Sequence, residues 1–161
     1  MKIKRFNQRF QAELYSLENR GCCELPTALA DVVKEGLLEE DGCVLLRSLY
    51  ARSKSVPRSN FPDRTGYECF VNHLHIDACD AKNGINIGLL FFASIERLCS
   101  ERGVDTPITG ILSFDEIGLT VRFHVARFGE RWLCDDLEKY QQEGIAEINV
   151  FSPEGGADAD R

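Results

Sequence analysis

No stretch of this chain approaches the roughly 18 consecutive apolar residues of a membrane-spanning helix, so no membrane span is expected. The basic start MKIKRFNQRFQAEL passes into polar residues rather than an apolar stretch, which speaks against a secretory signal. Neither GxxxxGK[ST] nor a GxGxxG after a strand occurs, so the two glycine-rich motifs that cradle nucleotide phosphates are missing. The seven cysteines contain no CxxC pair, which removes the usual zinc-knuckle and thioredoxin signatures. Their odd number, and the apolar settings of Cys43, Cys69 and Cys99, point to reduced thiols and a cytoplasmic protein. Cys79 sits beside Asp77 and Asp80, whose charges disfavour a thiolate, so a cysteine nucleophile has little support.

What is there suits one globular domain. The 161 residues are 43% hydrophobic and 28% charged, enough for a real core. The net charge of −7 argues against a nucleic-acid binder and towards a basic partner. Charge is unevenly spread. Between Arg47 and Arg64 five basic residues (Arg47, Arg52, Lys54, Arg58, Arg64) face one acid, Asp63, whereas from Phe128 onward nine acids face three basic residues. The expected organisation is a single α+β domain over residues 1–152, with a helical N-terminal part (1–52), a basic loop (53–66) and a sheet-forming part (67–152). A flexible acidic tail (153–161) follows.

The hairpin from Ile108 to Arg127 is the clearest element. On its second arm Leu119, Val121, Phe123 and Val125 share one face, and Thr120, Arg122, His124 and Ala126 the other, the period-2 pattern of a half-buried strand. Asp115-Glu116-Ile117-Gly118 makes the turn. Upstream, Phe6, Phe10, Leu14 and Leu17 predict that residues 1–20 form a helix after a short lead, and Pro26 introduces a second from about Thr27. Asp41-Gly42 ends that helix, and Cys43 to Ala51 reads as a further helix. Ser53 to Gly66 reads as a loop, Tyr67 to Asp77 as a strand with Phe70, Asn72, Leu74 and Ile76 inward, and Cys79 to Gly84 as a turn. Ile85 to Arg102 is a long helix and Ile145 to Phe151 a last strand, which is open to pairing with another chain if it proves to be an edge. The fold expected is N-terminal helices followed by a mostly antiparallel sheet in β-α-β-β-β order, with helices packed on one face.

Three constellations carry possible chemistry. His73, His75 and Asp77 alternate along the expected strand and so point the same way, a geometry that suits a zinc or iron site. This HxHxD string resembles the metallo-β-lactamase motif, but Ala78 stands where that motif has another histidine. Only His124 is left elsewhere, so a dinuclear site cannot be assembled. The basic residues Arg52, Lys54, Arg58 and Arg64 could meet RNA phosphates, but the loop lacks interleaved aromatics for base stacking. Asp115 and Glu116 at the hairpin tip, with Asp135, Asp136 and Glu138 around Trp132 and Tyr140, suit a landing surface for a cationic protein, with Trp132 as anchor. Loop-tip acids are ordinarily solvated, which fits a contact role better than acid–base catalysis.

The blocks SVPRSNFPDRTGYECFVNHLHID, ILSFDEIGLTVRFHVAR and GERWLCDDLEKYQQEGIAEINV, spanning the chain from about Ser53, resemble the immunity proteins of bacterial contact-dependent growth inhibition and polymorphic toxin systems. The resemblance implies a small cytoplasmic protein, not an enzyme and without cofactor or metal. It would bind and block the C-terminal toxin domain of a sister cell's effector, a domain that is often a basic nuclease. The expected contacts are Asp115, Glu116, Trp132, Asp135, Asp136 and Glu138. The competing expectation is a small metal-dependent enzyme using His73, His75 and Asp77.

Overall fold

The computed structural model describes residues 1–16, 24–77 and 83–153. Strand β1 (Lys2–Phe6) is followed by α1 (Gln8–Ser16), α2 (Thr27–Glu35), the strands β2 (Leu37–Glu40) and β3 (Cys43–Leu46), and α3 (Arg47–Ser53). A 3-10 turn at Arg58–Asn60 leads to α4 (Arg64–Val71), β4 (Leu74–Asp77) and the long α5 (Gly84–Arg102). Strands β5 (Ile108–Phe114), β6 (Gly118–Val125) and β7 (Gly144–Phe151) complete the chain, with a 3-10 turn at Leu137–Lys139 before β7. Five strands form one antiparallel sheet in the order β1-β7-β5-β6-β4, and β2 and β3 form a separate hairpin. The fold is α+β, and β4-α5-β5-β6-β7 is the expected β-α-β-β-β order.

The alternation in β6 divides the sheet's two faces as expected. Leu119, Val121, Phe123 and Val125 are buried with Leu112, Ile148 and Val150 against Phe91, Phe92 and Ile95 of α5. Phe10 of α1 reaches the same face, its ring 5.7 Å from that of Phe114. Helix and sheet come close because both carry glycine at the contact. A Cβ on Gly110 would lie 2.8 Å from the Phe92 ring, and one on Gly88 would overlap the Leu112 side chain. The opposite face is covered by the connection between β6 and β7 and by one side of α4, through a smaller cluster of Cys69, Ile111, Leu133, Leu137 and Ile145.

Several local expectations are corrected. The lead before the first helix is a strand that takes in Phe6, expected on the helix stripe: Lys2 to Phe6 alternates exposed and half-buried positions and adds to β7 as an edge, and the helix starts at Gln8. Asn7 ends that strand and caps α1, its Oδ1 accepting from the N–H of Phe10 at 3.0 Å. The same oxygen accepts from Ile145, and the Asn7 amide donates to the carbonyls of Tyr140 and Glu143. Asp41-Gly42 does more than stop a helix. Its φ angles of 51° and 74° make a two-residue hairpin turn pairing Glu40 with Cys43, so Cys43 to Leu46 is strand and only the residues from Arg47 are helical. Tyr67 to Asp77 is not one strand. Asp63 caps a helix at Arg64, its Oδ1 accepting from Gly66 N–H at 2.7 Å, and Phe70 faces solvent rather than the core. Strand β7 lies between β1 and β5, so the sheet edges are β1 and β4. The end of the expected first helix, residues 78–82 of the expected turn, Cys22, Cys23, Cys79 and the tail from residue 154 lie outside the described residues.

A polar seam joins α4 to two strands. Strand β6 pairs with β4 only as far as Val121, which leaves its edge unpaired beyond that point. Helix α4 supplies the missing partners from Glu68 and Asn72, which lie four residues apart and therefore on one helix face. The Asn72 amide donates to Phe123 O (3.1 Å) and Val44 O (2.8 Å), and its Oδ1 accepts from Leu46 N–H (2.9 Å). Glu68 accepts from Val44 N–H (2.8 Å), from Val125 N–H (3.1 Å) and from the Arg127 guanidinium (2.6 Å). Arg127 also donates to Gly42 O at 2.6 Å, which fastens the β2-β3 hairpin. Burial pushes the Glu68 carboxyl up, and Arg127 with the two backbone N–H groups pulls it back. Val44 N–H, Val125 N–H and the Arg127 guanidinium all donate to this carboxyl, so the site accommodates the ionised form.

Glu68→Gln places an amide NH2 against N–H donors, and we expect it to lower the unfolding free energy by about 2–4 kcal/mol. Glu101→Gln, which removes only the exposed Arg97–Glu101 pair, should cost under about 0.5 kcal/mol. Urea denaturation of the two variants at neutral pH checks this; equal midpoints would show that the seam does not hold the fold together.

Candidate functional site

The exposed large apolar side chains are unevenly placed. Phe70 is 44% and Trp132 39% exposed, and both line one cavity of about 350 Å³. Its wall comes from the Asp63-capped start of α4: Phe61, Pro62 and Gly66, then Cys69 and Phe70 on the next turn. Phe61 packs edge-on to Tyr67 and tilted against Phe70, with ring centroids at 5.5 and 5.2 Å. The other side is Arg131-Trp132, in the connection after β6, and Arg122 of β6 and His73 complete the lining.

Arg122 is the chemical centre of this cavity. Its guanidinium lies 5.4 Å from the centroid of the Trp132 ring, a cation–π contact, and Nη2 approaches His73 Nε2 at 3.4 Å. A guanidinium can only donate, so His73 Nε2 presents its lone pair to it. Burial and the adjacent Arg122 charge hold the His73 imidazole below the ordinary histidine range. Burial also lowers the Arg122 pKa, and among the described residues no carboxylate comes within ion-pair distance of it. Cys69, buried below, has its thiol pushed well up by burial and stays protonated, so it supplies no compensating charge.

The acids expected to make contacts are tied into local structure. Asp115 Oδ1 accepts from Ile117 and Gly118 N–H and shapes the hairpin turn, while Glu116 is exposed at its tip. Asp135 pairs with Arg131, and its carbonyl accepts from Arg5. Asp136 Oδ1 caps the 3-10 turn by accepting from Glu138 N–H. Glu138 accepts from Gln8 N–H at 2.9 Å, placing a carboxylate at the positive end of α1. The tip is not remote from the rest: Asp115 lines a second cavity with Lys139, Tyr140 and Glu143. Trp132 lies against Arg122 on the first cavity, next in the chain to Arg131, which pairs with Asp135.

His73, His75 and Asp77 do not alternate along one strand, because β4 begins only at Leu74. His75 Nε2 lies 3.7 Å from Asp77 Oδ1, and its Nδ1 contacts Thr120 Oγ1 at 3.3 Å, while His73 turns to Arg122. Among the described residues, no three His, Cys, Asp or Glu side chains are grouped to hold a metal ion. Of the basic residues around the expected loop, Lys54 and Arg58 line one cavity with the acids Glu40 and Asp41 and with Tyr50, whose ring centroid is 6.0 Å from Lys54, whereas Arg47 donates to Leu37 O and Arg64 opens α4. Cys43, Cys69, Cys99 and Cys134 are free thiols, and no described helix is long and apolar enough to cross a membrane.

Residues 5–152, nearly the whole of the described chain, match the model of one protein family. The chain belongs to the Uncharacterized protein PM0498 family. No curated protein and no solved structure matches it. Sequence reasoning passed over Arg122, Phe61 and Phe70. The available signal was Arg122 at the centre of a strand, on a face otherwise carrying Thr120 and His124. The wall was hidden because α4 buries nearly all of its residues and so shows neither a helical nor a strand period.

A second consequence concerns acid. His124, buried behind the same face, donates through Nδ1 to Val125 O at 2.8 Å, and burial holds its pKa below the ordinary 6.5. With folded pKa values lowered, His124 and His73 favour the fold fully above about pH 6.5. That contribution is lost as pH falls from there through the folded values. We expect the urea midpoint to fall between about pH 6.5 and 5, and His124→Gln to flatten that decline. An unchanged slope in the variant would exclude His124 as its source.

Proposed function

We propose that this protein is a cytoplasmic immunity factor that binds and neutralises a cognate toxin domain, a nuclease of basic charge, in a contact-dependent growth inhibition system. The observation that carries this reading is the exposed aromatic surface of Trp132 and Phe70 on one cavity, whose lining residue Arg131 pairs with Asp135, with Asp136 and Glu138 following in the same connection. Large aromatics left in water next to held charges are the anchors of protein interfaces. The acids are immobilised by Arg131, by capping and by the α1 terminus, so they lose little freedom when a cationic partner arrives. The excess of acids gives long-range attraction for a basic domain and speeds encounter. Inhibition on this reading is occlusion by binding and uses no catalytic group and no cofactor.

The test is co-expression with the neighbouring genes and purification of the complex. Recovery of the C-terminal domain of a large secreted protein at one-to-one stoichiometry, with its nuclease activity suppressed, is expected. Trp132→Ala should weaken the complex by about 30-fold or more, and charge reversal at Asp135 or Asp136 by about 2- to 5-fold with a reduced association rate. Calorimetry and stopped-flow association measure both. Stoichiometric zinc or iron in the purified protein, with no partner, would instead favour the enzyme reading through His73, His75 and Asp77.

A further inference from the structure

Arg122 raises a separate question, because a partly buried guanidinium ordinarily faces a carboxylate. Here it faces a tryptophan ring and a histidine lone pair. Neither neutralises it. Asp63, on the cavity lining, accepts from Gly66 N–H at the α4 cap, and Asp135 pairs with Arg131; Glu143, whose charge acts on Arg122 from outside the cavity, makes no ion pair with it among the described residues. Around this charge the walls are flat and apolar, from Phe61, Pro62, Phe70 and Trp132. The volume of about 350 Å³ lies at the lower end of small-molecule sites, roughly 300–1,000 Å³. A guanidinium fork matches a carboxylate with two parallel N–H donors, and an apolar slot beside it shields that pair from water.

We propose that this cavity is a binding site for a carboxylate carried on a flat apolar body, with Arg122 holding the carboxylate and Phe61, Phe70 and Trp132 enclosing the body. Two sources offer that chemistry: a free aromatic acid, or the C-terminal residue of a polypeptide. The site does not depend on the toxin-binding reading, and it would stand if no toxin were found. His73 acts as a positioning residue. Its neutral Nε2 accepts from one edge of the guanidinium, which leaves the remaining N–H donors free for a ligand.

The single tryptophan of the chain is Trp132, so its emission reports occupancy of this cavity without labelling. The full-length protein is titrated with phenylacetate, with N-acetylphenylalanine, and with N-acetylphenylalanine amide, which keeps the ring but lacks the charge. Saturable changes are expected with both acids, with the amide at least about tenfold weaker. Tighter binding of N-acetylphenylalanine assigns the ligand to a chain terminus; tighter binding of phenylacetate assigns it to a free acid. Arg122→Met should abolish the preference for acid over amide, read by calorimetry because the substitution also alters the tryptophan's surroundings. If that variant fails to fold, the exposed Phe70→Ala provides the second arm, weakening acid and amide alike by several-fold while preserving their ratio. No saturable change with either acid, or an amide as effective as its acid, overturns the proposal.

Discussion

The edge of β3 and the end of β6 meet no strand, and side chains of one helix and its C-terminal cap take the place of the missing partner. Glu68 and Asn72 occupy successive turns of α4 and reach both the end of β6 and the start of β3, while Arg127 closes the junction over Gly42. Buried backbone polar groups left without partners cost several times more than a formed hydrogen bond returns, so the hairpin, the helix and the sheet hold their relative positions together or not at all. Glu130 extends the junction to the protein surface by accepting from the N–H and hydroxyl of Thr65. Although burial opposes it, those two bonds and Arg127 hold the Glu130 carboxyl below its ordinary value.

The surface cavity follows from the same constraint. Because its buried polar face must meet β3 and β6, α4 crosses beside the outer face of the sheet, and Phe70, exposed on its last turn, stands at the cavity wall. The connection after β6 packs Leu133 and Leu137 against Ile111 and Ile145, which brings Trp132 over Arg122. An aromatic groove around a guanidinium is thus the space left where two coverings of one sheet face approach each other. Arg131, which lines the cavity beside Trp132, carries its paired Asp135, so the same connection offers both signs of charge beside one apolar centre. That arrangement favours recognition of a particular partner over general adhesion.

Where local pattern and tertiary environment agreed, the chain was legible. The hairpin of β5 and β6, the helix α5 and the final strand follow from periodicity and from glycine and proline punctuation. Misreadings fell where a segment is buried on most sides or is very short. Arg64 to Val71 carries few exposed residues, so its polar Glu68 and Asn72 look like strand alternation until their partners are known. Lys2 to Phe6 gains strand structure only because β7 offers it an edge, and Cys43 to Leu46 only because the Asp41-Gly42 turn folds it back on β2. The Asp-Gly pair and the Asp63 cap were both visible as residues. They were decisive only as geometry.

By itself, the sequence determined the α+β class, the β-α-β-β-β order, the division of β6 into a buried and a polar face, and the excess of acid towards the C-terminus. Those properties depend on residue type and spacing within a few turns of chain, which local sterics and hydrophobic periodicity govern. Only the tertiary structure decided that Glu68 is a buried strand-mender, that His73 turns to Arg122 rather than to His75, and that Phe61, Phe70 and Trp132 line one cavity. The reason is distance along the chain. Arg122 lies far in sequence from His73 and from Phe61, and such contacts exist only once the sheet and α4 have fixed where each segment passes.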